Sequence, residues 1–357
     1  MIAMPQLKPV PKEILQLRST YQTAQLRLVN IIATSKAKGN VTAYREAILR
    51  QVEKEIRVLD KFAKRWTTEN IDKYYNRGAE GVYSTFRRAN IDIGDIAVDP
   101  RRIQIIAANA YGEFTDAHRF VGRVINDEIR QAGVEAIAEK LSAGDTVKQA
   151  KKNLVNKLTD KGITGIRDRR GRMIRLDAYA EMVARSTTRE ATNLATMDQL
   201  QELNHDLVQM SDHASPCEIC APLEGRVYSI SGSSPDYPPL DIAHGEGFAN
   251  IHPNCKHVLT PYIAKFDPNQ ERTKQRSQRP FDTDPRSQRQ REAYERAQRQ
   301  NALLRNDRNQ WERYRMTMPN DTPRTFSAFR RSKTAGGPKY KELESKYRSM
   351  RIKAASP

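Results

Sequence analysis

The cysteines of this chain are confined to one short stretch. All three of them, and four of the six histidines, fall within residues 213–257. Cys217 and Cys220 form a Cys-x-x-Cys sequence, and Cys255 follows after a spacer, flanked by histidines. A Cys-x-x-Cys turn points two thiolates at one ion, and a distant His/Cys cluster supplies the remaining ligands of a tetrahedral zinc site. The pattern predicts a structural zinc site that cross-links a polar loop; the alternative is three unligated structural cysteines.

Three thiolates and one imidazole would complete this site. Cys217, Cys220 and Cys255 are the expected sulfur ligands. For the fourth ligand we favour His257, because residues i and i+2 of a strand point to the same face and Cys255 and His257 can then reach one ion. His252 is the alternative, since it precedes Cys255 by three residues, a usual ligand separation in a turn. Four protein ligands leave no open position, which is typical of a structural site.

The composition is polar for a chain long enough to form two or three domains. Hydrophobic residues make up 38% of the chain, charged residues 29%, and the mean hydropathy is −0.76. Part of the chain should therefore pack poorly or depend on a partner. No apolar run approaches the length of a transmembrane helix, no signal peptide opens the chain, and an odd number of cysteines does not suit a disulfide framework. We expect synthesis in a reducing cytoplasm and no membrane partner.

The basic residues are concentrated near the C-terminus. The formal charge is +18, which indicates a polyanionic partner, most simply nucleic acid. Residues 266–357 carry 23 Lys and Arg against 11 Asp and Glu. We expect a basic, polar extension over residues 265–357 that is partly disordered or docked on a partner. It would serve as a DNA-binding arm, with Tyr294, Trp311 and Tyr314 stacking on bases, as a protein-docking arm, or as a solvated tail.

Helical periodicity dominates the N-terminal half. Apolar residues recur every three or four positions in three stripes, Ile14–Ile31, Ile48–Trp66 and Ile103–Ile129. They predict a helical hairpin region over residues 1–100 and a further helical region over residues 101–162. His118 lies on the third stripe, and a lone histidine on an apolar face is most simply a packed core residue.

Short strands replace the long helices within residues 163–264. The expected strands are Ile163–Ile166, Met173–Leu176, Leu207–Met210, Gly225–Ile230 and Val258–Ile263. The first two flank a turn at residues 168–171, and a helix separates them from the other three. The predicted fold class is mainly α with a small α+β zinc-knuckle module, a helical N-terminal half and a basic, extended C-terminal tail.

Several motifs follow one another in a definite order between residues 163 and 262. They are the hairpin with Asp168 and Gly171, the helix start Tyr179–Arg185, the approach Leu207–His213, the segment Cys217–Gly225 running into Val227–Ser229, and the cluster His252–His257. In order and spacing they resemble the phage minor capsid protein 2 family, which is related to the phage Mu F-like head morphogenesis proteins. Ser186 stands where the family often has threonine, and Lys256 where it often has arginine. Mu F-like sequences place a cysteine at the position of His257, an exchange that a metal ligand permits.

The resemblance implies a structural protein of the phage head that is present in low copy. Its partners would be the portal and the major capsid protein, together with packaged double-stranded DNA through the basic C-terminal region. It would be located in the virion, and in the host cytoplasm during assembly.

His213 has two interpretations. It would orient the Cys-x-x-Cys turn through a hydrogen bond. Alternatively, Asp212-His213 and His252-Pro253-Asn254 echo the parts of a zinc-supported His-Asn-His nuclease, a DNA-processing enzyme carried in the virion. However, Cys217 follows His213 too closely to leave room for the hairpin that such nucleases contain. No Ser/His/Asp array, phosphate-binding glycine loop or paired-carboxylate motif is visible, so we expect no enzymatic activity.

Overall fold

The computed structural model of the protein describes residues 10–34, 41–94, 98–143, 165–167, 173–244, 251–252, 255–318 and 320–355. The turn expected at residues 168–171 lies outside these ranges. The helices are α1 (Lys12–Thr34), α2 (Val41–Arg88), α3 (Pro100–Ala143), α4 (Leu176–Glu202), α5 (Asp241–His244), α6 (Gln270–Ser277), α7 (Gln288–Thr317), α8 (Phe326–Ala335) and α9 (Pro338–Ala355). The strands are β1 (Gly165–Arg167), β2 (Met173–Arg175), β3 (Leu207–Met210), β4 (Val227–Ser229) and β5 (Leu259–Pro261). The protein is mainly helical, as predicted. None of the described helices has the length and apolar character needed to span a bilayer.

The chain forms two compact units, each assembled from separate stretches. The first takes its described residues from Met1–Arg18, Phe62–Phe114 and Ala180–Arg296, and the second from Ser19–Lys61, Thr115–Tyr179 and Ala297–Pro357. The long helices α1, α2 and α3 each contribute residues to both units. The division into residues 1–100, 101–162, 163–264 and 265–357 stays a prediction.

The first unit contains a three-stranded antiparallel sheet in the order β4-β3-β5. Val208 of the central strand lies opposite Tyr228 of β4 and Pro261 of β5. Its inner face packs on α4 and on the C-terminal part of α2 through a buried cluster: Val82, Phe86, Met197, Leu200, Val208, Met210, Leu223, Tyr228, Leu240, Ala243 and Leu259. The two helices approach closely at Gly78, where a Cβ would lie 2.3 Å from the Thr192 carbonyl oxygen. This contact fixes α4 beneath the sheet.

The second unit has a helical core that follows the predicted stripes. Its buried residues include Tyr21, Leu28, Ile48, Val52, Leu59, Val121, Ile125 and Ile129. His118 is confirmed as a core residue, with 2% of its surface exposed. Its Nε2 atom lies 2.8 Å from the Tyr21 hydroxyl, and its Nδ1 atom lies 3.3 Å from Asp60 Oδ1. The β1–β2 hairpin, with Ile166 opposite Ile174, also belongs to this unit.

The C-terminal region differs from the extended tail expected from its composition. It forms α6 to α9. Residues of α7, α8 and α9, together with Met318 just after α7, bury a small hydrophobic cluster: Trp311, Tyr314, Met318, Phe329, Tyr340 and Leu343. Trp311 and Tyr314 are buried, and Tyr294 is half-buried with the Arg286 guanidinium over its ring. The expectation that Trp311 and Tyr314 stack on bases is therefore wrong, because these rings hold the helices together. The sequence did not predict this cluster, because its apolar residues are divided among three helices.

Candidate metal centre

The sheet topology brings the two cysteine-bearing segments to one edge. The first segment, residues 211–226, connects the end of β3 to the start of β4. The second, residues 255–258, enters β5 beside the end of β3, where Met210 lies opposite Leu259. Ser211 holds them together, because its N–H donates to the Val258 carbonyl at 3.0 Å and its hydroxyl accepts from the Val258 N–H at 3.1 Å. Segments far apart in sequence thus meet at the same end of the sheet.

The Cys-x-x-Cys segment folds as two overlapping turns. The Ala221 N–H donates to the Cys217 carbonyl, and the Leu223 and Glu224 N–H groups donate to the Cys220 carbonyl. Gly225 ends the turns with φ of +69°, a conformation that favours glycine. A Cβ there would also meet the Arg276 guanidinium and the Asp212 carboxylate. These turns place Cys217 and Cys220 on one short segment that ends at Gly225.

Two groups of metal-ligating atoms form, and they share Cys220. One contains Cys217, Cys220 and His252, and the other contains Cys220, Cys255 and His257. Within each group all the ligand atoms lie within 4.8 Å of one another. His252 Nε2 is 3.2 Å from Cys217 Sγ and 3.0 Å from Cys220 Sγ, and His257 Nδ1 is 3.4 Å from Cys255 Sγ. The structure therefore brings together all five residues that the sequence proposed as ligands.

The donor set fits a zinc ion. With Zn–S and Zn–N distances of about 2.0–2.3 Å, neighbouring ligand atoms of a tetrahedral site lie roughly 3.3–3.8 Å apart. The three S–N separations of 3.0–3.4 Å are close to this range. Thiolate and imidazole ligands suit zinc, whereas calcium and magnesium prefer oxygen. The described residues could therefore hold one metal ion of the zinc type.

Hydrogen bonds couple the pKa values of the three cysteine thiols. Hydrogen bonds with Cys220 lower the pKa of the Cys217 thiol and of the Cys255 thiol. The same two hydrogen bonds, together with burial, raise the pKa of Cys220. Since metal ligands must be deprotonated, metal binding at this cluster would release a proton from any thiol that still carries one.

A buried carboxylate holds His257. His257 Nε2 lies 3.1 Å from Glu224 Oε2, and both side chains are buried. Burial opposes protonation of the ring, but hydrogen bonds to Cys255 and Glu224 outweigh it and raise the pKa of His257 to about 9. A carboxylate on the far nitrogen of a histidine is a frequent partner of metal-binding histidines, because it fixes the ring and its tautomer.

His213 contacts the centre through its ring and its backbone. Its ring packs edge-on against His257 with centroids 4.3 Å apart, and its N–H donates to Glu224 Oε2 at 3.0 Å. The expected side-chain hydrogen bond to the Cys-x-x-Cys turn is not among the contacts of the described residues, and His213 Nε2 is buried there without a partner. Burial lowers the pKa of His213 to about 4, with His257 adding to the effect, so the ring is neutral near pH 7.

Three residues that support the cluster were not predicted from the sequence. Glu224 binds His257, as described above. Asn193 of α4 accepts from the Leu259 N–H at 3.0 Å and donates to the His257 carbonyl at 3.4 Å. Arg189, also on α4, has its pKa lowered by burial, an effect that the nearby Cys255 thiol opposes. The only signal for Glu224 was its place directly before Gly225, and nothing in the sequence marked Asn193 or Arg189 as neighbours of the cluster.

The rival nuclease interpretation gains no support from this arrangement. His213 lies against His257 at the cysteine cluster rather than at a separate catalytic centre. Pro253 and Asn254, the other parts of that pattern, lie outside the described residues.

Comparison with known proteins provides one match. No curated protein and no solved structure matches the chain. The family model described as phage minor capsid protein 2 matches residues 103–316, which is more than half of the chain and includes the whole cysteine cluster. The order of motifs around this cluster had suggested the same family. The chain therefore belongs to the phage minor capsid protein 2 family.

Proposed function

We propose that this protein is a structural component of the phage head without enzymatic activity, present in low copy and bound to the portal and the inner surface of the major capsid protein. The match to the minor capsid family supports a place among the structural proteins of the virion. The ligand set proposed here would be closed, and this favours a structural task, because three thiolates and one imidazole leave no position for a substrate.

The metal in this proposal is a structural zinc ion. Cys217, Cys220, Cys255 and His257 hold it, and His252 is the alternative to His257. The Glu224 carboxylate favours His257, because it orients the ring as in other zinc sites. Zinc supplies a cross-link between two chain segments that the three short strands of the sheet hold through few hydrogen bonds.

The basic C-terminal region contacts packaged DNA in this proposal. Its excess of Lys and Arg over Asp and Glu supports a polyanionic partner. The protein is made in the host cytoplasm, joins the head during assembly and remains in the virion.

Quantitative mass spectrometry of purified phage heads tests the proposal. We expect the protein in DNA-filled heads and in empty precursors, at a few copies per portal ring, and crosslinked to the portal or the major capsid protein. A Cys217→Ser/Cys220→Ser variant should be depleted from the heads because its cross-link is lost. Absence of the wild-type protein from heads, with the portal readily detected, would overturn the proposal.

A further inference from the structure

We propose that three cations around the Gly336–Gly337 turn, Arg331, Lys339 and Lys341, bind the phosphate backbone of double-stranded DNA. These residues are called the turn cations below. The inference rests on the proposed location in the head, where the protein meets packaged DNA. It assigns DNA binding to one defined surface rather than to the whole basic C-terminal region.

The turn cations lie on a helical hairpin with fixed geometry. α8 begins after Thr325, whose hydroxyl accepts the Ala328 N–H, and it ends at Gly336 in the left-handed conformation with φ of +59°. α9 starts two residues later. Phe329 of α8 and Tyr340 of α9 are buried with ring centroids 5.9 Å apart. A rigid hairpin holds charges in place, so that less conformational entropy is lost when a ligand binds them.

Lys333 of α8, and Lys346 and Arg348 of α9, are paired with acidic groups. Lys333 Nζ lies 2.6 Å from Asp307 Oδ1, Lys346 Nζ lies 2.5 Å from Asp321 Oδ1, and Arg348 Nη2 lies 3.4 Å from Glu344 Oε1. These pairs account for the acidic side chains at Asp307, Asp321 and Glu344.

The turn cations have a different environment. Arg331, Lys339 and Lys341 are exposed, and their side chains have no ion pair or hydrogen bond within the part of the chain that the structure describes. The only acidic residue between positions 331 and 342 is Glu342. This end of the hairpin therefore keeps a net positive charge that the fold does not use.

Gly337 lies beside the turn cations, at the start of α9. Its carbonyl accepts the N–H groups of Tyr340 and Lys341, so it occupies the N-cap position of α9. Its φ is not positive, unlike that of Gly336, and a Cβ at Gly337 would meet nothing within 4 Å. Serine, asparagine or aspartate would cap the helix at least as well. A Gly337→Asp exchange therefore places a negative charge beside the turn cations while a helix cap is retained.

The absence of exposed rings on this surface favours the duplex over single strands. Proteins bind single strands by stacking bases on aromatic side chains. The aromatic rings near the turn, at Phe329 and Tyr340, are buried in the hairpin. Contacts of guanidinium and ammonium groups with phosphates carry no base preference. The expected ligand is therefore the duplex backbone, without sequence specificity.

The test measures binding of the full-length protein to a labelled DNA duplex of about 30 base pairs over a range of salt concentrations. An Arg331→Gln/Lys339→Gln/Lys341→Gln variant should bind roughly tenfold more weakly near 0.1 M salt. Its slope of log K against log salt should be shallower by about 0.9 for each lost contact. Gly337→Asp should also weaken binding while preserving the thermal stability of the protein, because aspartate is a good N-cap residue.

The matched control removes the same charge elsewhere. Lys54, Lys61 and Lys64 on α2 are exposed, and the Lys54→Gln/Lys61→Gln/Lys64→Gln variant should retain wild-type affinity and slope. The proposal is overturned if this control loses as much affinity as the turn variant, if the turn variant binds like wild type, or if wild type binds polyglutamate as tightly as duplex DNA. Incorporation of the turn variant into heads is scored separately, so that failure to bind DNA is distinguished from failure of the structural role.

Discussion

The Nε2 atom of His257 lies 3.1 Å from the Oε2 atom of Glu224, in a buried contact between the segment before β5 and the turn before β4. The same carboxylate accepts the backbone N–H of His213. One acidic side chain therefore fixes both the ring of a proposed zinc ligand and the start of the turn that carries two thiols.

Replacing Glu224 by glutamine should weaken metal binding by about 10–100-fold, because the amide is a poorer acceptor for the His257 ring. Glu218→Gln is the matched control, since Glu218 is an exposed acid on the same turn. Competition with a chromophoric chelator measures the zinc affinity of each variant. Equal affinities for Glu224→Gln and wild type would show that the carboxylate does not support the metal.

The two candidate histidines should respond differently to substitution. His257→Gln should weaken zinc binding more than Glu224→Gln does, because it removes a ligand rather than the partner of a ligand. His252→Gln should keep about one zinc ion per chain. The absorption spectrum of the cobalt-substituted protein reports the ligand set of each variant. If His252→Gln loses the metal while His257→Gln retains it, then His252 is the fourth ligand.

A buried ion cluster in the second unit provides a stability prediction. Arg175 Nε lies 2.8 Å from Asp177 Oδ1, and its Nη1 atom also binds the Glu312 carboxylate of α7. Arg175→Met removes the cation shared by the buried Asp177 and the half-buried Glu312, so it should lower the free energy of unfolding by about 3–5 kcal/mol. Arg348→Met is the control, because its exposed pair with Glu344 should contribute less than about 1 kcal/mol. Urea unfolding measures both, and similar losses for the two variants would contradict the prediction.

The long helices and the central strand of the sheet could be predicted from the periodicity of the apolar residues. The helical stripes ending at Ile31, Trp66 and Ile129 correspond to α1, α2 and α3, and the strand at Leu207–Met210 is the central strand of the sheet. Local patterns predict such elements well because the period of burial is set by the backbone itself.

Contacts between residues far apart in the sequence could not be predicted from local patterns. Glu224 becomes a partner of His257 only when β4 and β5 flank β3, and a single carboxylate in a polar segment carries no sign of its burial. Arg175 and Glu312 likewise meet across more than a hundred residues. The packing of the C-terminal region could not be predicted from its composition, because Trp311, Phe329 and Tyr340 are widely spaced among arginines and lysines.

The pH dependence of stability should depend partly on His118. Burial lowers the pKa of His118, and the opposing effect of Asp60 does not compensate for it. As the pH falls below the unfolded value of about 6.5, the unfolded chain binds a proton that the folded protein resists, so stability falls. His118→Gln should therefore lose less stability than wild type between about pH 7.5 and 5.5. Equal losses, measured by urea unfolding at both pH values, would show that His118 is not the group responsible.

The metal content of the purified protein tests the central claim most directly. Elemental mass spectrometry should give about one zinc per wild-type chain and almost none for Cys217→Ser/Cys220→Ser. Circular dichroism should show that the variant loses folded structure together with the metal, since a structural zinc contributes directly to folding. The absence of zinc from the wild type, or a zinc ion whose removal leaves the fold intact, would contradict the account of a metal that cross-links the cysteine-bearing segments.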